Sequence, residues 1–322
     1  MATSINTKLT RLLGINSPII CAPMANVTGG NLAAQVFLGG GFGFLAAGYD
    51  TSDKLAHEIS IARAVLNRSS STILPIGIGF LGWQLDKSPS HGNEMLSVAL
   101  ESRVQAIWLA FGQNLGPYIQ YIRDYEANGD FTLKPLIFIQ VSSVEDAVMA
   151  LDQWHPDVLV VQGIEAGGHG HSKALPLLTL LSLTLSKMSP DSPPVLAAGG
   201  LATGAQVASM LALGASGVVL GTRFLLSPES SYTDTQRRAL INASSNDTVR
   251  TMAFDYARNT LGWPLGVDGR ALRNHDDPQR TLIWAGTGVG LMNEQKAAKD
   301  TVKELHEECV SHIRALAGSL CS

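Results

Sequence analysis

One stretch of this 322-residue chain concentrates residue types that do chemistry: Val160-Val161-Gln162-Gly163-Ile164-Glu165-Ala166-Gly167-Gly168-His169-Gly170-His171. The apolar run at 158–161 is mostly β-branched and uninterrupted, so it reads as a strand buried on both faces. It then breaks into a turn holding four glycines, two histidines and one carboxylate. Glycine lets a backbone approach a ligand closely or take a positive φ. An imidazole among such glycines, beside a flat phosphate-bearing cofactor, is suited to moving a proton near neutral pH. The plain alternative is a tight surface turn with incidental histidines. A second glycine-rich strand end, Ala197-Ala198-Gly199-Gly200, follows at the distance of one helix and one strand, and this favours the site.

Positioning such residues takes a regular scaffold, and the chain has the pattern of one. Short β-like runs at 18–22, 42–47, 74–78, 106–110, 135–141, 158–162, 195–198 and 217–221 alternate with helical runs near 30–37, 52–66, 93–103, 116–128, 144–153, 174–186 and 204–213. Ser142-x-x-Glu145 reads as a capping box opening the fifth of these helices. Eight strands joined by helices over roughly 210 residues predict an α/β fold, a (β/α)8 TIM barrel. A doubly wound sheet is the alternative, but no switch point interrupts the repeats. The barrel is expected to occupy 1–226. A polar segment, 227–281, with a helix at 234–242 and polar runs at 242–248 and 274–277, reads as a small α+β lobe over the barrel mouth. The remainder, 282–322, is a return segment leading to a helix at 294–316. Its Ala298, Val302, Leu305, Val310, Ile313 and Leu316 are spaced to pack on the barrel.

Three glycine runs imitate a dinucleotide fingerprint. Gly77-Ile78-Gly79-Phe80-Leu81-Gly82 fits G-x-G-x-x-G literally, yet no helix start is expected in the Trp83-Gln84-Leu85-Asp86 that follows. Gly41 to Ala46 is itself the strand, and Gly286-Thr287-Gly288-Val289-Gly290 has the wrong spacing. The convincing pair is Gly199-Gly200 after strand seven and Gly221-Thr222 after strand eight. In (β/α)8 barrels these two loops commonly hold a phosphate with backbone N–H groups. Arg223 reads either as a further phosphate contact or as a structural ion pair at the barrel rim. A phosphate anchored there sets a flavin ring against the ends of strands one, three, five and six. Met24, Gly79, Gln140 and Gln162 stand at those ends and suit the lining of an isoalloxazine.

Bulk properties exclude several classes. The chain is 45% hydrophobic and 16% charged, with a formal charge of −4 and a pI near 6.1. No basic face is suggested, which argues against nucleic acid or an anionic membrane as a partner. No apolar run approaches the ~18–20 residues needed to cross a bilayer. The first residues lack the apolar core of a secretory signal, and Leu320-Cys321-Ser322 forms no clear address. Cys21, Cys309 and Cys321 are too few and scattered for a disulfide framework or a metal cluster, and Cys21 is expected as a buried thiol. The sequons at Asn26, Asn67, Asn242 and Asn246 read as chance, and a reducing, cytoplasmic setting is expected.

Several motifs together resemble the nitronate monooxygenase (2-nitropropane dioxygenase) family in its FMN-dependent TIM-barrel form. They are Pro18-Ile19-Ile20-Cys21-Ala22-Pro23-Met24, Gln162 to His169, Ala197-Ala198-Gly199-Gly200-Leu201, and Leu213 through Gly221-Thr222-Arg223-Phe224. Asp268-Gly269-Arg270-Ala271-Leu272-Arg273-Asn274 and Trp284-Ala285-Gly286-Thr287-Gly288 also fit. The resemblance implies FMN bound by Ala22, Met24, Gly79, Gln140, Gln162, Gly167, Gly168, Gly199, Gly200, Gly221 and Thr222. It further implies that His169 removes the α-proton of a nitroalkane, and that nitronate and O2 give a carbonyl compound and nitrite. His171, two residues on, is expected to point elsewhere in a tight turn. Gln140 offers the reduced ring a hydrogen bond but no charge. The implied protein is a monomer or homodimer. The alternative reading is an NAD(P)H-dependent FMN reductase of enoyl thioesters or quinones, for which Arg237, Arg238, Arg270 and Arg273 are the candidate nucleotide contacts.

Overall fold

The computed structural model describes residues 4–128, 134–273 and 281–320. Asn274, the polar run 274–277 and Cys321 lie outside the described residues. Eight parallel strands close into a barrel: β1 (Ile19–Cys21), β2 (Phe42–Ala46), β3 (Leu74–Leu81), β4 (Val104–Ala110), β5 (Leu136–Val141), β6 (Val158–Gln162), β8 (Val195–Ala198) and β9 (Gly217–Leu220). Closure is made by β9 against β1, with Ile20 opposite Val219. Helices lie between the strands, as a TIM barrel requires.

The continuous apolar runs have a two-sided burial to satisfy. Alternate residues of each strand point to opposite faces. Ile20, Phe42, Phe44, Trp108, Phe138, Val160, Leu196 and Val219 form one cluster inside the barrel. Their neighbours Ile19, Cys21, Leu45, Ile107, Ile139, Val161 and Leu220 pack in another, under the helices. The interior is filled by rings: Phe44 meets Phe42, Trp108 and Phe138 edge-on at 5.0–5.3 Å, and Trp108 stacks on Phe138. The literal G-x-G-x-x-G of β3 is explained by this packing. A Cβ on Gly77 would meet the Phe44 ring at 2.1 Å, and one on Gly79 would meet Pro23 at 2.4 Å. A six-residue helix, Gly82–Lys87, does follow the motif, contrary to the expectation that none would start there.

Three other expectations are corrected. The fifth helix is capped by Ser143, whose side chain accepts from the Asp146 amide at 3.0 Å, not by Ser142. It runs Val144–Met149 and widens into a π-turn at Ala150–Trp154. The last helix is Ala298–Leu320, starting later and ending later than expected. Ala298, Val302, Leu305 and Cys309 are buried in it, whereas Ile313 and Leu316 are 40% and 46% exposed. The apolar periodicity continues past Cys309, whereas residues 311–319 are exposed. Cys21 is fully buried, and burial alone pushes its thiol pKa up.

A second sheet of three antiparallel strands sits apart from the barrel. It is ordered β10 (Thr248–Thr251), β11 (Val267–Leu272) and β7 (Gly168–His171). Its third strand comes from the segment after β6, so the expected tight turn is a strand from Gly168 onward. Gly168 takes φ +66 with open space beside it, which turns the chain, and a distant strand then supplies the pairing: Gly170 lies opposite Asp268 and His169 opposite Gly269. Val27, Leu225, Leu226, Tyr232, Leu240, Leu272, Ile283 and Met292 form the apolar seat between this lobe and the barrel. Among the described residues no helix is long and apolar enough to cross a membrane.

Candidate active site

The inward parity of the strands fixes what lines the barrel at its carboxyl end. One position above the Ile20, Phe44, Trp108, Phe138, Val160, Leu196 and Val219 layer, the inward residues are Ala22, Ala46, Ala110, Gln140, Gln162, Ala198 and Gly221, with Gly79 from β3. Six of these eight positions are alanine or glycine, so the floor is flat and low. The other two carry amides. Gln140 Nε2 is buried without a partner, and so is Gln162 Oε1. Buried amide atoms left unpaired cost free energy unless a ligand or water meets them. Gln162 Nε2 donates to the carbonyl of His169 at 3.2 Å, tying the floor to β7. Met24 joins the floor beside β9: a Cβ on Gly221 would lie 3.5 Å from its Sδ and 3.9 Å from Ala22 Cβ.

The glycine loops meet one another. Gly199 and Gly200 take φ +119 and +70, which a side chain rarely adopts. A Cβ on Gly288 would strike the Gly200 carbonyl at 2.4 Å, and one on Gly167 would strike the Gly286 amide at 2.3 Å. The Gly286 amide donates to Thr222 Oγ1 at 2.9 Å, leaving the threonine proton free to point elsewhere. Thus Gly167, Gly199–Gly200, Gly221–Thr222 and the return segment are brought together at one rim. Arg223 is buried and reaches Glu304 at 3.4 Å and the Glu294 carbonyl at 3.5 Å, the structural ion pair of the two readings. Glu165 is structural too: both its oxygens accept from the Leu177 amide at 3.0 Å, at the start of the helix Leu177–Leu185.

His169 stands on β7, above this rim, and its surroundings come from the lobe. Its Nε2 lies 2.9 and 3.1 Å from the two carboxylate oxygens of Asp255, a fully buried residue on the short helix Ala253–Arg258. Thr260 Oγ1 donates to Asp255 Oδ1 at 2.8 Å. Trp263 stacks on the imidazole with ring centroids 3.6 Å apart and planes 11° from parallel, and Trp284 closes from the side at 4.9 Å. Trp263 is itself held by Trp83 and Phe111, and the Trp284 backbone by the Tyr232 hydroxyl. Burial lowers the His169 pKa below its ordinary value, outweighing the Asp255 carboxylate, which raises it; Arg250 and Arg258 lower it further. The ring is therefore a weaker base than a solvated imidazole, with its Nε2 edge taken by Asp255.

The expected divergence of His171 fails as stated. In a strand, residues 169 and 171 share a face. What separates them is their company: His171 packs against Gly266 and its Nδ1 accepts from the Lys173 amide at 3.2 Å. Asp255, Thr260 and Trp263 were not singled out from the sequence. The His169–Asp255 contact spans 86 residues, and the segment carrying it has no strong periodicity. Trp284 appeared only inside a motif. A physical signal for its role existed in Asp268-Gly269: a Cβ on Gly269 would lie 2.4 Å from the Trp284 ring.

The nitronate monooxygenase family model matches residues 6–262. Nitronate monooxygenase from Neurospora crassa is 31% identical, with 94% of this chain and 91% of that one aligned. Among solved structures, FabK from Thermotoga maritima superposes with a TM-score of 0.78 at 27% identity, covering 98% of this chain and 99% of that one. Nitroalkane oxidase from Streptomyces ansochromogenes superposes with a TM-score of 0.77 at 26% identity, covering 96% and 100%.

Proposed function

Because the chain belongs to the nitronate monooxygenase family, a family of oxidoreductases, we propose that it oxidises alkyl nitronates with O2 to a carbonyl compound and nitrite. FMN is the proposed cofactor, and neutral nitroalkanes enter after deprotonation by His169. One observation carries the reading: a buried, carboxylate-paired imidazole lies beside a floor of alanine and glycine whose only two polar side chains hold unpaired amide atoms. Such a floor fits a flat ring with polar edges. Gln140 and Gln162 would hydrogen-bond that ring, with Ala22, Met24 and Gly79 beneath it. Gly199, Gly200, Gly221 and Thr222 would hold the phosphate, and Gly167 and Gly168 would let the chain pass close above it. Bound there, FMN would supply the redox chemistry between nitronate and dioxygen.

The chain's own residues do the rest. His169 takes the α-proton with the nitrogen that Asp255 does not occupy. Trp263 and Trp284 wall off water, which strengthens every electrostatic contact inside. A reductase reading has the FabK likeness in its favour. Against it, two of its four arginine candidates are spent inside the lobe. Arg237 bonds Asp234 and the Ser230 carbonyl, and Arg270 bonds Thr248 and the Ile164 carbonyl. Anaerobic mixing of the yellow holoenzyme with a nitronate separates the two. Bleaching by the nitronate, with NADH inert on the turnover timescale, is expected. The reverse pattern would make the protein a reductase.

A further inference from the structure

We propose that Asp255 is the positioning residue for His169, holding the imidazole as its Nε2–H tautomer so that Nδ1 is the atom that receives a substrate proton. The proposal rests on the reading of His169 as base. Its first support is geometric: His169 Nε2 lies 2.9 and 3.1 Å from Asp255 Oδ1 and Oδ2. An ionised carboxylate only accepts hydrogen bonds, so Nε2 must carry the hydrogen and the lone pair is left on Nδ1. The second support is burial. Asp255 is fully buried, and a buried carboxylate is tolerated only where its oxygens find donors. It has His169 and the Thr260 hydroxyl, 2.8 Å from Oδ1. The chain turns at Asn259, in the left-handed region at φ +53, and this brings Thr260 back onto the carboxylate of its own helix.

Trp263 supplies the third support. Its indole lies parallel to the imidazole at 3.6 Å, so the ring plane is fixed while Asp255 fixes which edge faces the lobe. The proton step then balances. The substrate C–H bond breaks, its electron pair moves into the nitro group to form the nitronate, and His169 Nδ1 gains the proton. The positive charge that appears on the imidazole faces the Asp255 carboxylate, while the Nε2 hydrogen stays where it was. The charged groups acting on this ring are Asp255, Arg250 and Arg258, and Tyr49 shares the Asp255 field from the barrel side.

Three readouts test it on the FMN-loaded protein. In 15N spectra of histidine-labelled wild type, His169 is expected to show a protonated Nε2 and a bare Nδ1; a protonated Nδ1 would overturn the proposal without any variant. Asp255→Asn is expected to lower kcat on a neutral nitroalkane by about 100-fold or more with KM little changed, while preformed nitronate is oxidised within about threefold of wild type. The acid limb of the remaining activity should move to lower pH, because the negative charge favouring the imidazolium is gone. Wild-type kcat on the nitroalkane, or equal loss on both substrates with loss of bound flavin, would reduce Asp255 to a structural residue. His169→Asn in parallel keeps the two claims apart. If it still deprotonates nitroalkanes, the base reading fails. If it does not, and Asp255→Asn does at full rate, only the positioning role fails.

Discussion

The barrel and the three-stranded lobe solve opposite problems. The barrel repeats one unit eight times and buries its strands on both faces, ending in a floor of Ala22, Ala46, Ala110, Ala198, Gly79 and Gly221 that offers shape and almost no chemistry. The lobe is irregular and small, yet it brings Asp255, Thr260 and Trp263 to His169 and pairs β7 with β11. On the proposed function, the regular barrel would hold the cofactor and the small lobe would set the protonation chemistry. Separate roles predict that the two regions can be damaged separately.

The largest expected effect is in the barrel. Phe138, fully buried and stacked on Trp108, should cost about 3–5 kcal/mol when changed to Ala, read by urea unfolding, because the ring cluster cannot close the hole. Stability and activity should fall together. In the lobe, Gly269→Ala should break that link. Its Cβ would press on the Trp284 ring at 2.4 Å, and a displacement of that size beside His169 should lower turnover by about 100-fold while barrel unfolding changes little. A smaller effect is on pH. Burial holds the His169 pKa below that of a solvated imidazole, and a base of the proposed kind acts when unprotonated. Activity on neutral nitroalkanes should therefore be level at neutral and alkaline pH and fall at a more acid pH than a solvated imidazole would set, whereas oxidation of preformed nitronate should lack this limb. The smallest lies on a barrel helix: Ser143→Ala should cost about 1 kcal/mol and Ser142→Ala a few tenths at most, since only Ser143 caps.

The same contrast decides what could be read from the chain. The eight strands were legible because burial on both faces leaves uninterrupted Val, Ile and Leu runs, and each observed strand overlaps its predicted one. The glycine loops were legible because positive φ and close backbone approach at Gly199, Gly200 and Gly167 demand that residue. The turn after β6 was misread because strand pairing for Gly168–His171 is supplied by β11, about 100 residues later in the chain, and alternation in Gly-His-Gly-His gives no apolar face. Asp255 was invisible for a related reason. An acidic residue on a six-residue helix looks solvated until its partner 86 residues away is known. Ile313 and Leu316 differ the other way, continuing an apolar stripe into turns that are exposed.

The most direct test of the claim that the lobe's imidazole is the base is a pair of rates for His169→Asn, one with a neutral nitroalkane and one with its preformed nitronate. The structure predicts that the first collapses and the second persists, so that the ratio of the two falls by about 100-fold or more. A fall of equal size in both rates would mean that His169 holds the substrate or the fold, and that the proton leaves by another route.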